Sequence, residues 1–164
     1  MDSTYQRLII PLIAAAIAFG LARLLKAPAS VIKRAAIAGM VFALGNFFFD
    51  LAAIHLSLWH YEMPGLIAGT PLDLYLSAGI VFGFITSLIF WWLENKNRYV
   101  LYGYLAVLPF LTTARDYLST RYAYSFLIWD TPYYLIFDFA AWVILLTITF
   151  LVFRLPGRSP DKRI

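Results

Sequence analysis

The sequence has no cysteine and few charged residues, and each shortage argues against a class of protein. Without cysteine there is no disulfide framework, no thiol nucleophile and no thiolate metal site. Charged residues make up 13% of the chain, whereas a soluble domain typically has roughly 25%. A small globule could not hide the apolar remainder inside, because small domains have a high surface-to-volume ratio. The composition therefore argues against a soluble globular domain.

Hydrophobic residues dominate the chain, at 62% of 164 residues, and the mean hydropathy is +0.76. This composition predicts an integral membrane protein with one compact domain. The net charge of +4 does not indicate nucleic-acid binding, because the basic residues stand in short loops beside apolar runs. The chain has no Gly-rich phosphate loop and no His-Glu-x-x-His spacing, so we expect no cofactor and no metal.

Five apolar segments are long enough to cross a hydrocarbon core, which needs about 20 mostly apolar residues. They are Leu8–Leu25, Ala35–Leu58, Leu72–Leu93, Tyr99–Tyr117 and Tyr133–Phe153. We therefore predict an all-α membrane protein, a bundle of about five transmembrane helices. The bundle forms a single domain over residues 1–155, and residues 156–164 form a polar cytoplasmic tail. The first segment lacks a basic start and a clear cleavage site, so we expect a retained helix.

Proline positions predict how the helices begin and bend. Thr-Pro pairs at 70–71 and 131–132 are typical of an N-cap followed by proline at the first helical position. They predict the starts of the third and fifth helices. Pro11 and Pro109 lie inside predicted helices, where each would free a carbonyl and kink the helix.

Basic residues collect on one side of the predicted bundle. The positive-inside rule then places the N-terminus outside and the C-terminus in the cytoplasm. We expect a multi-pass protein of a prokaryotic cytoplasmic membrane. The residues on the cytoplasmic side are Arg23, Lys26, Lys33, Arg34, Lys96, Arg98, Arg154, Arg158, Lys162 and Arg163; those on the outer side are Arg7, Arg115 and Arg121.

Two of the acids within predicted spans lie well away from the span ends, where an ionisable group costs on the order of 3 kcal/mol and usually faces the bundle interior. Asp50 stands about eight residues before the outer end of the second helix, and Asp138 about six residues after the outer start of the fifth. At ~1.5 Å per residue, both carboxyls should lie ~10 Å below the outer interface. With Arg115 and Asp116 at the end of the fourth helix, they predict a polar pocket between helix ends.

Carboxyl chemistry determines the candidate roles. Asp50, Asp138 and Asp73 are the candidate catalytic groups, because a carboxyl that holds a proton at neutral pH can act as a general acid. The other outer-side residues would bind the ligand or line its cavity. These candidate binding residues are Asn46, His55, Trp59, Tyr61, Arg115, Asp116, Tyr134 and Trp142.

Simpler interpretations remain open for each of these residues. Asp73 could cap the third helix and complement its dipole. Arg115 and Asp116 could be ordinary interface residues. Asp50 and Asp138 could form a structural hydrogen bond or an ion pair with Arg115. Solvated or interfacial side chains are expected at Glu62, Asp130 and His60.

The stretch 50–76 has an acid late in one helix, a Trp-x-Tyr loop, a glycine, and a proline that opens the next helix with an acid. These residues are Asp50, Trp59, Tyr61, Gly69, Pro71 and Asp73. Their order resembles the integral-membrane lycopene cyclase (carotenoid cyclase) family, whose helix-opening motif is Pro-(Leu/Ile)-Glu-Glu. Here Asp73 stands at the first Glu and Leu74 at the second. The resemblance implies a membrane pocket for an isoprenoid or other long apolar ligand and proton transfer from carboxyls near this motif.

Three functions are consistent with the sequence. The first is a protein that binds a membrane lipid or isoprenoid or modifies it as a cyclase-like lyase or isomerase. The second is a non-catalytic subunit of a larger membrane complex, or a homo-oligomer, because small residues on the first helix could pack against a partner. These small residues are Ala14, Ala15, Ala18 and Ala22. The third is a small-solute or proton-coupled transporter, although few polar residues continue into the inner half.

Overall fold

The computed structural model describes residues 3–62, 66–67, 69–122 and 127–155. Within these residues the chain forms five helices and two short strands. In chain order they are α1 (Ser3–Leu24), α2 (Ala29–His55), β1 (Trp59–Tyr61), α3 (Leu72–Lys96), α4 (Arg98–Tyr122), β2 (Leu127–Trp129) and α5 (Tyr134–Arg154). The predicted polar tail at 156–164 lies outside the described residues.

The helices run in alternating directions. One end of the bundle brings together a residue from every helix: Ile10, Asp50, Tyr75, Arg115 and Asp138. The opposite end packs the end of α1 and the start of α2 against the later parts of α3 and α5, through Ala22, Val31, Leu88 and Phe153. The first of these ends, which we call the cavity end, carries the candidate site.

Three of the helices, α2, α3 and α5, are long and apolar enough to cross a membrane by length and composition. The apolar part of α1, Ile9–Leu24, is shorter, and α4 ends in the polar stretch that contains Arg115 and Asp116. The structure therefore supports a mainly helical fold and, by these criteria, three of the five expected spans.

Two details of the predicted helix starts are wrong. The N-cap of α3 is Pro71 and it has no side-chain cap hydrogen bond, because the Thr70 hydroxyl donates to the Ile67 carbonyl at 2.6 Å instead. The fifth helix starts at Tyr134, beyond the Thr-Pro pair at 131–132. Both threonine-proline pairs thus belong to turns before their helices. The two proline positions inside helices are confirmed, with Pro11 in α1 and Pro109 in α4.

A short antiparallel ribbon, which the sequence analysis did not predict, covers the cavity end. The second helix ends at His55 instead of Leu58, and the chain turns at Ser57, where φ is 53°. Strand β1 then pairs with β2 in the register Trp59 to Trp129 and Tyr61 to Leu127. The ribbon therefore joins the α2–α3 connection to the α4–α5 connection.

Glycines allow α2 and α3 to cross in close contact. The middle of α3, Gly79–Ile85, is π-helical and packs on α2. A Cβ atom placed on Gly83 would lie 2.4 Å from the Cα of Gly39, and one on Gly79 would lie 2.7 Å from the Gly39 carbonyl oxygen. Since backbone atoms occupy this space, a side chain at either position would force the two helices apart.

We expect Gly83→Ala to lower the free energy of unfolding by about 1–3 kcal/mol, the usual cost of overpacking a tight contact. Gly103→Ala is the matched control, because a Cβ atom on Gly103 meets nothing within 4 Å and alanine favours a helix. Thermal unfolding of both variants in one detergent measures the difference. Equal midpoints for the two variants would show that the crossing tolerates a methyl group.

Candidate functional site

The cavity end holds a cavity of about 580 Å³ between the end of α2, the start of α3, the end of α4, the start of α5 and the ribbon. Asp50 and Asp138 both line it. Asp50 lies five residues before the end of α2, and Asp138 four residues after the start of α5. The two acids therefore share one level, as the sequence predicted, although both lie closer to the helix ends than expected.

Three hydrogen-bond donors surround the Asp50 carboxylate. The Trp59 indole Nε1 donates to Oδ1 at 3.1 Å, and the hydroxyls of Tyr61 and Tyr75 donate to Oδ2 at 2.7 and 2.6 Å. Asp50 is only 5% exposed. A buried polar group without partners is costly, so these donors are what makes its burial possible.

Two of the three donors come from the ribbon. Trp59 and Tyr61 are alternate residues of β1, and the side chains of both reach Asp50. Burial and the neighbouring Asp50 charge raise the pKa of the Tyr61 phenol well above its ordinary value. Tyr61 therefore keeps its proton and remains a donor to Asp50 across the physiological pH range.

The cavity lining also includes an ion pair that lies on aromatic rings. Arg115 donates from Nε to the Asp116 carboxylate at 2.9 Å, and its Nη2 donates to the same oxygen. The Trp142 indole donates to the other Asp116 oxygen at 2.8 Å. The Arg115 guanidinium also lies 4.7 Å from the centre of the Phe82 ring and 5.3 Å from that of Trp142. These contacts fix the arginine by charge and by cation–π attraction.

Asp138 differs from the other two acids of the cavity. It is 8% exposed, and its buried Oδ2 atom has no hydrogen-bond partner among the described residues. Buried polar atoms in folded proteins are nearly always hydrogen-bonded, so an unpartnered oxygen at a cavity wall calls for a functional explanation. Asp138 is thus the cavity carboxyl with a free acceptor position.

Most of the predicted site residues meet at this cavity. Those that line it are Asn46, Asp50, Trp59, Tyr61, Arg115, Asp116, Asp138 and Trp142. Three others do not. His55 is exposed at the end of α2, Asp73 is half-buried on α3 and does not line the cavity, and Tyr134 stacks on Trp129 with ring centres 4.6 Å apart. Helical phase explains the first two, since neither shares a helix face with Asp50 or Tyr75.

The sequence analysis missed Tyr75, Phe82 and Trp129, which also line the cavity. Tyr75 could have been predicted from its depth. It stands three residues after the start of α3 and so lies near the level of Asp50. Phe82 lies in the π-helical segment, whose altered spacing no α-helical pattern shows. Trp129 depends on the ribbon, which was not predicted.

The outer surface of the ribbon carries an ion pair that was also not predicted. His60 Nδ1 lies 2.9 Å from Asp130 Oδ2, and its Nε2 lies 3.5 Å from Glu62. Asp130 is exposed, as expected of a solvated side chain, and it also contacts His60. Glu62 remains largely exposed, at 69% of its side chain.

No protein-family model, curated protein or solved structure matches this chain. The resemblance of residues 50–76 to lycopene cyclases therefore stays a prediction. Within the described part of the chain, no group of three His, Cys, Asp or Glu side chains is placed to hold a metal ion. The arrangement offers carboxyl proton transfer and hydrogen bonding as its chemistry.

We expect Tyr75→Phe to destabilise the protein by about 1.5–3 kcal/mol, the typical value of a hydrogen bond to a charged group. The substitution removes only the hydroxyl that reaches Asp50. Tyr102→Phe serves as the control, since Tyr102 is 59% exposed and such surface changes usually fall within about 0.5 kcal/mol. Denaturant unfolding in a mild detergent compares them. Equal loss in both variants would contradict the role given to the Tyr75 hydroxyl.

The Asp130 carboxylate, and secondarily Glu62, raise the pKa of His60 above its ordinary value of 6.5. A raised folded-state pKa means that the ion pair stabilises the protein fully below about pH 6.5 and that this contribution is lost as pH rises through the folded-state pKa. NMR titration of the imidazole measures the pKa of His60 in the folded protein. We expect Asp130→Asn to lower the pKa of His60 more than Glu62→Gln does; the reverse order would contradict the assignment.

Proposed function

We propose that this protein is a multi-pass membrane protein that binds a long apolar molecule, such as an isoprenoid-like lipid, in the cavity and acts on it by carboxyl acid–base chemistry. Asp138 is the proton-transferring group. Asp50 anchors the ribbon that covers the cavity. The cavity lies at the non-cytoplasmic side, with the N-terminus outside and the C-terminus in the cytoplasm of a prokaryotic cell.

The outer surface of the helices supports the membrane assignment. Large apolar side chains such as Leu12, Phe48 and Ile136 are exposed on α1, α2 and α5. Exposed apolar surface on this scale marks contact with lipid or with a partner protein. Arg23 on α1, Lys33 on α2 and Lys96 on α3 lie toward the end opposite the cavity, where the positive-inside rule expects the cytoplasm.

The free Oδ2 atom of Asp138 is the observation that carries the proposed chemistry. A general acid or base must reach the reacting atom directly, so its oxygen cannot be occupied by a structural hydrogen bond. Asp138 meets this condition, since it lines the cavity and its buried Oδ2 atom has no partner among the described residues. The neighbouring aromatic rings of Phe82 and Trp142 would contact an apolar ligand.

Asp50 is better suited to an anchoring role than to proton transfer. Its two oxygens already accept three hydrogen bonds. A ligand could reach this carboxyl only by displacing Trp59, Tyr61 or Tyr75. Asp50 and Asp138 were predicted to have the same catalytic role. The geometry instead favours Asp50 as the anchor of the ribbon and Asp138 as the proton-transferring group.

The lycopene cyclase resemblance supports an isoprenoid ligand, but the acids are placed differently. At the helix-opening motif, Leu74 lines the cavity whereas Asp73 does not. The cavity position of that motif is therefore apolar in this chain. Proton transfer to a polyene would instead use Asp138, from the opposite side of the cavity.

The hypothesis of a non-catalytic subunit was based on small residues of α1 that could pack against a partner, and most of these residues are buried within this chain. Ala14, Ala18 and Ala22 are each 5% exposed within this chain, because α1 packs them against its own bundle. Only Ala15 is exposed. That face of α1 is therefore not available to a partner helix, and a larger complex or homo-oligomer stays a prediction without a surface assigned to it.

The test compares Asp138→Asn with Glu94→Gln, a control at the opposite end, where Glu94 pairs with Arg154. Each variant is purified in mild detergent, and co-extracted apolar molecules are identified by mass spectrometry after incubation in D₂O. We expect the wild type and Glu94→Gln to transfer deuterium to carbon in the bound molecule. Asp138→Asn should keep its fold and lose at least about 99% of that transfer, within the usual 10²–10⁴-fold contribution of a general acid or base.

Unchanged deuterium incorporation in a folded Asp138→Asn protein would remove Asp138 from the chemistry. If the wild type itself incorporates no deuterium yet retains an apolar molecule, the protein is a binding protein and the catalytic proposal is overturned. If it retains no such molecule, the ligand-binding proposal fails as well.

A further inference from the structure

The charges around the cavity restrict which ligands can enter it. The lining residues that the structure describes include three carboxyl groups, Asp50, Asp116 and Asp138, and a single cation, Arg115. A cavity that recognises phosphate or carboxylate normally presents arginines, lysines or free backbone N–H groups. This cavity instead has more acidic than basic side chains in its described lining.

Arg115, the one cation among the described lining residues, is already neutralised. Arg115 donates twice to Asp116, and its guanidinium lies over the rings of Phe82 and Trp142. An anionic ligand would have to break this ion pair and would leave the Asp116 charge without its partner. The Arg115 side chain is 50% exposed and that of Asp116 is 17% exposed, so the largely buried Asp116 carboxylate would lose its charged partner while an anion competes for the same guanidinium. Arg115 is therefore a poor anion receptor, although its charge alone would suggest one.

Among the described residues, two that line the cavity have a buried polar atom without a partner: the Trp129 indole Nε1, which is a donor, and Asp138 Oδ2, which is an acceptor. Asp138 Oδ2 is buried and without a partner among the described residues, so a bound molecule satisfies it by donating a hydrogen bond. A hydroxyl or an ammonium group can do so, whereas a phosphate or carboxylate end would place a like charge beside it. The aromatic lining adds faces that attract cations but not anions.

We propose that the cavity selects long apolar molecules whose polar end donates a hydrogen bond and carries no negative charge, and that it rejects the same molecules when they end in phosphate. Asp138 is the residue that determines this specificity. This inference rests on the proposed ligand-binding function and narrows it, since prenyl diphosphates are excluded as ligands and prenyl alcohols or amines are admitted.

The experiment uses one prenyl chain with four different ends: hydroxyl, amine, diphosphate and hydrocarbon. Binding to the purified full chain in nanodiscs of neutral phosphatidylcholine is followed by quenching of tryptophan fluorescence, because Trp59, Trp129 and Trp142 line the cavity. Native mass spectrometry counts the bound molecules. We expect the alcohol and the amine to bind at least about tenfold more tightly than the diphosphate, since like-charge contacts cost several kcal/mol.

Asp138→Asn provides the specificity test, with Glu94→Gln as the control that leaves the cavity unchanged. The amide oxygen still accepts a hydrogen bond but carries no charge, so the preference for amine over diphosphate should fall about tenfold or more while the alcohol keeps its affinity. Thermal unfolding confirms that the variant is folded. Glu94→Gln should retain the wild-type order of affinities.

The outcomes separate this inference from the proposed function. If no prenyl probe binds, the ligand-binding function fails. If the diphosphate binds as tightly as the alcohol, or if the hydrocarbon does, the cavity binds apolar chains but the selectivity proposed here is wrong. An unchanged preference in folded Asp138→Asn would overturn the role of Asp138 alone.

Discussion

A buried carboxyl group must be given hydrogen-bond donors, and the way in which Asp50 obtains them determines the shape of the cavity end. Its own helix cannot supply them, so the donors come from the ribbon and from the first turn of α3. Each such bond stabilises the fold by roughly 1.5–3 kcal/mol. Removing Asp50 would therefore remove the two hydrogen bonds that hold Trp59 and Tyr61 of the ribbon against the bundle. The cavity exists because this ribbon closes one of its sides.

The three cavity acids are satisfied in three different ways. Asp50 is surrounded by neutral donors, and Asp116 is paired with Arg115 and bound by Trp142. Asp138 keeps one oxygen free. Asp50 and Asp116 are occupied by structural contacts. Asp138 is therefore chemically distinct from them. A count of acids in the sequence could not reveal this division, because it depends on which aromatic donors reach which oxygen.

The depth of Asp50 and Asp138 along their helices could be predicted from the sequence. Several of the other residues that line the cavity could not. Asp50 and Asp138 lie at equal depth because apolar helices with a fixed rise per residue leave little freedom in depth. His55 and Asp73 lie off the cavity because of helical phase, and Tyr134 stacks on Trp129 of the ribbon, which was not predicted. The ribbon strands have three residues each, too few for an alternating pattern to show. Gly39 and Gly83 meet only in the packed bundle.

The π-helical segment acts as a phase adjustment within α3. Its hydrogen bonds skip one residue more than those of an α-helix, so it accommodates a residue that a regular helix of the same length would not. If the same residues formed a regular α-helix instead, the first turn of α3 would rotate by about 100° relative to its second half. Tyr75 would then face away from Asp50 while Leu88 and Phe90 stayed in the core. A single inserted residue thus couples the packing of one half of the bundle to the chemistry of the other.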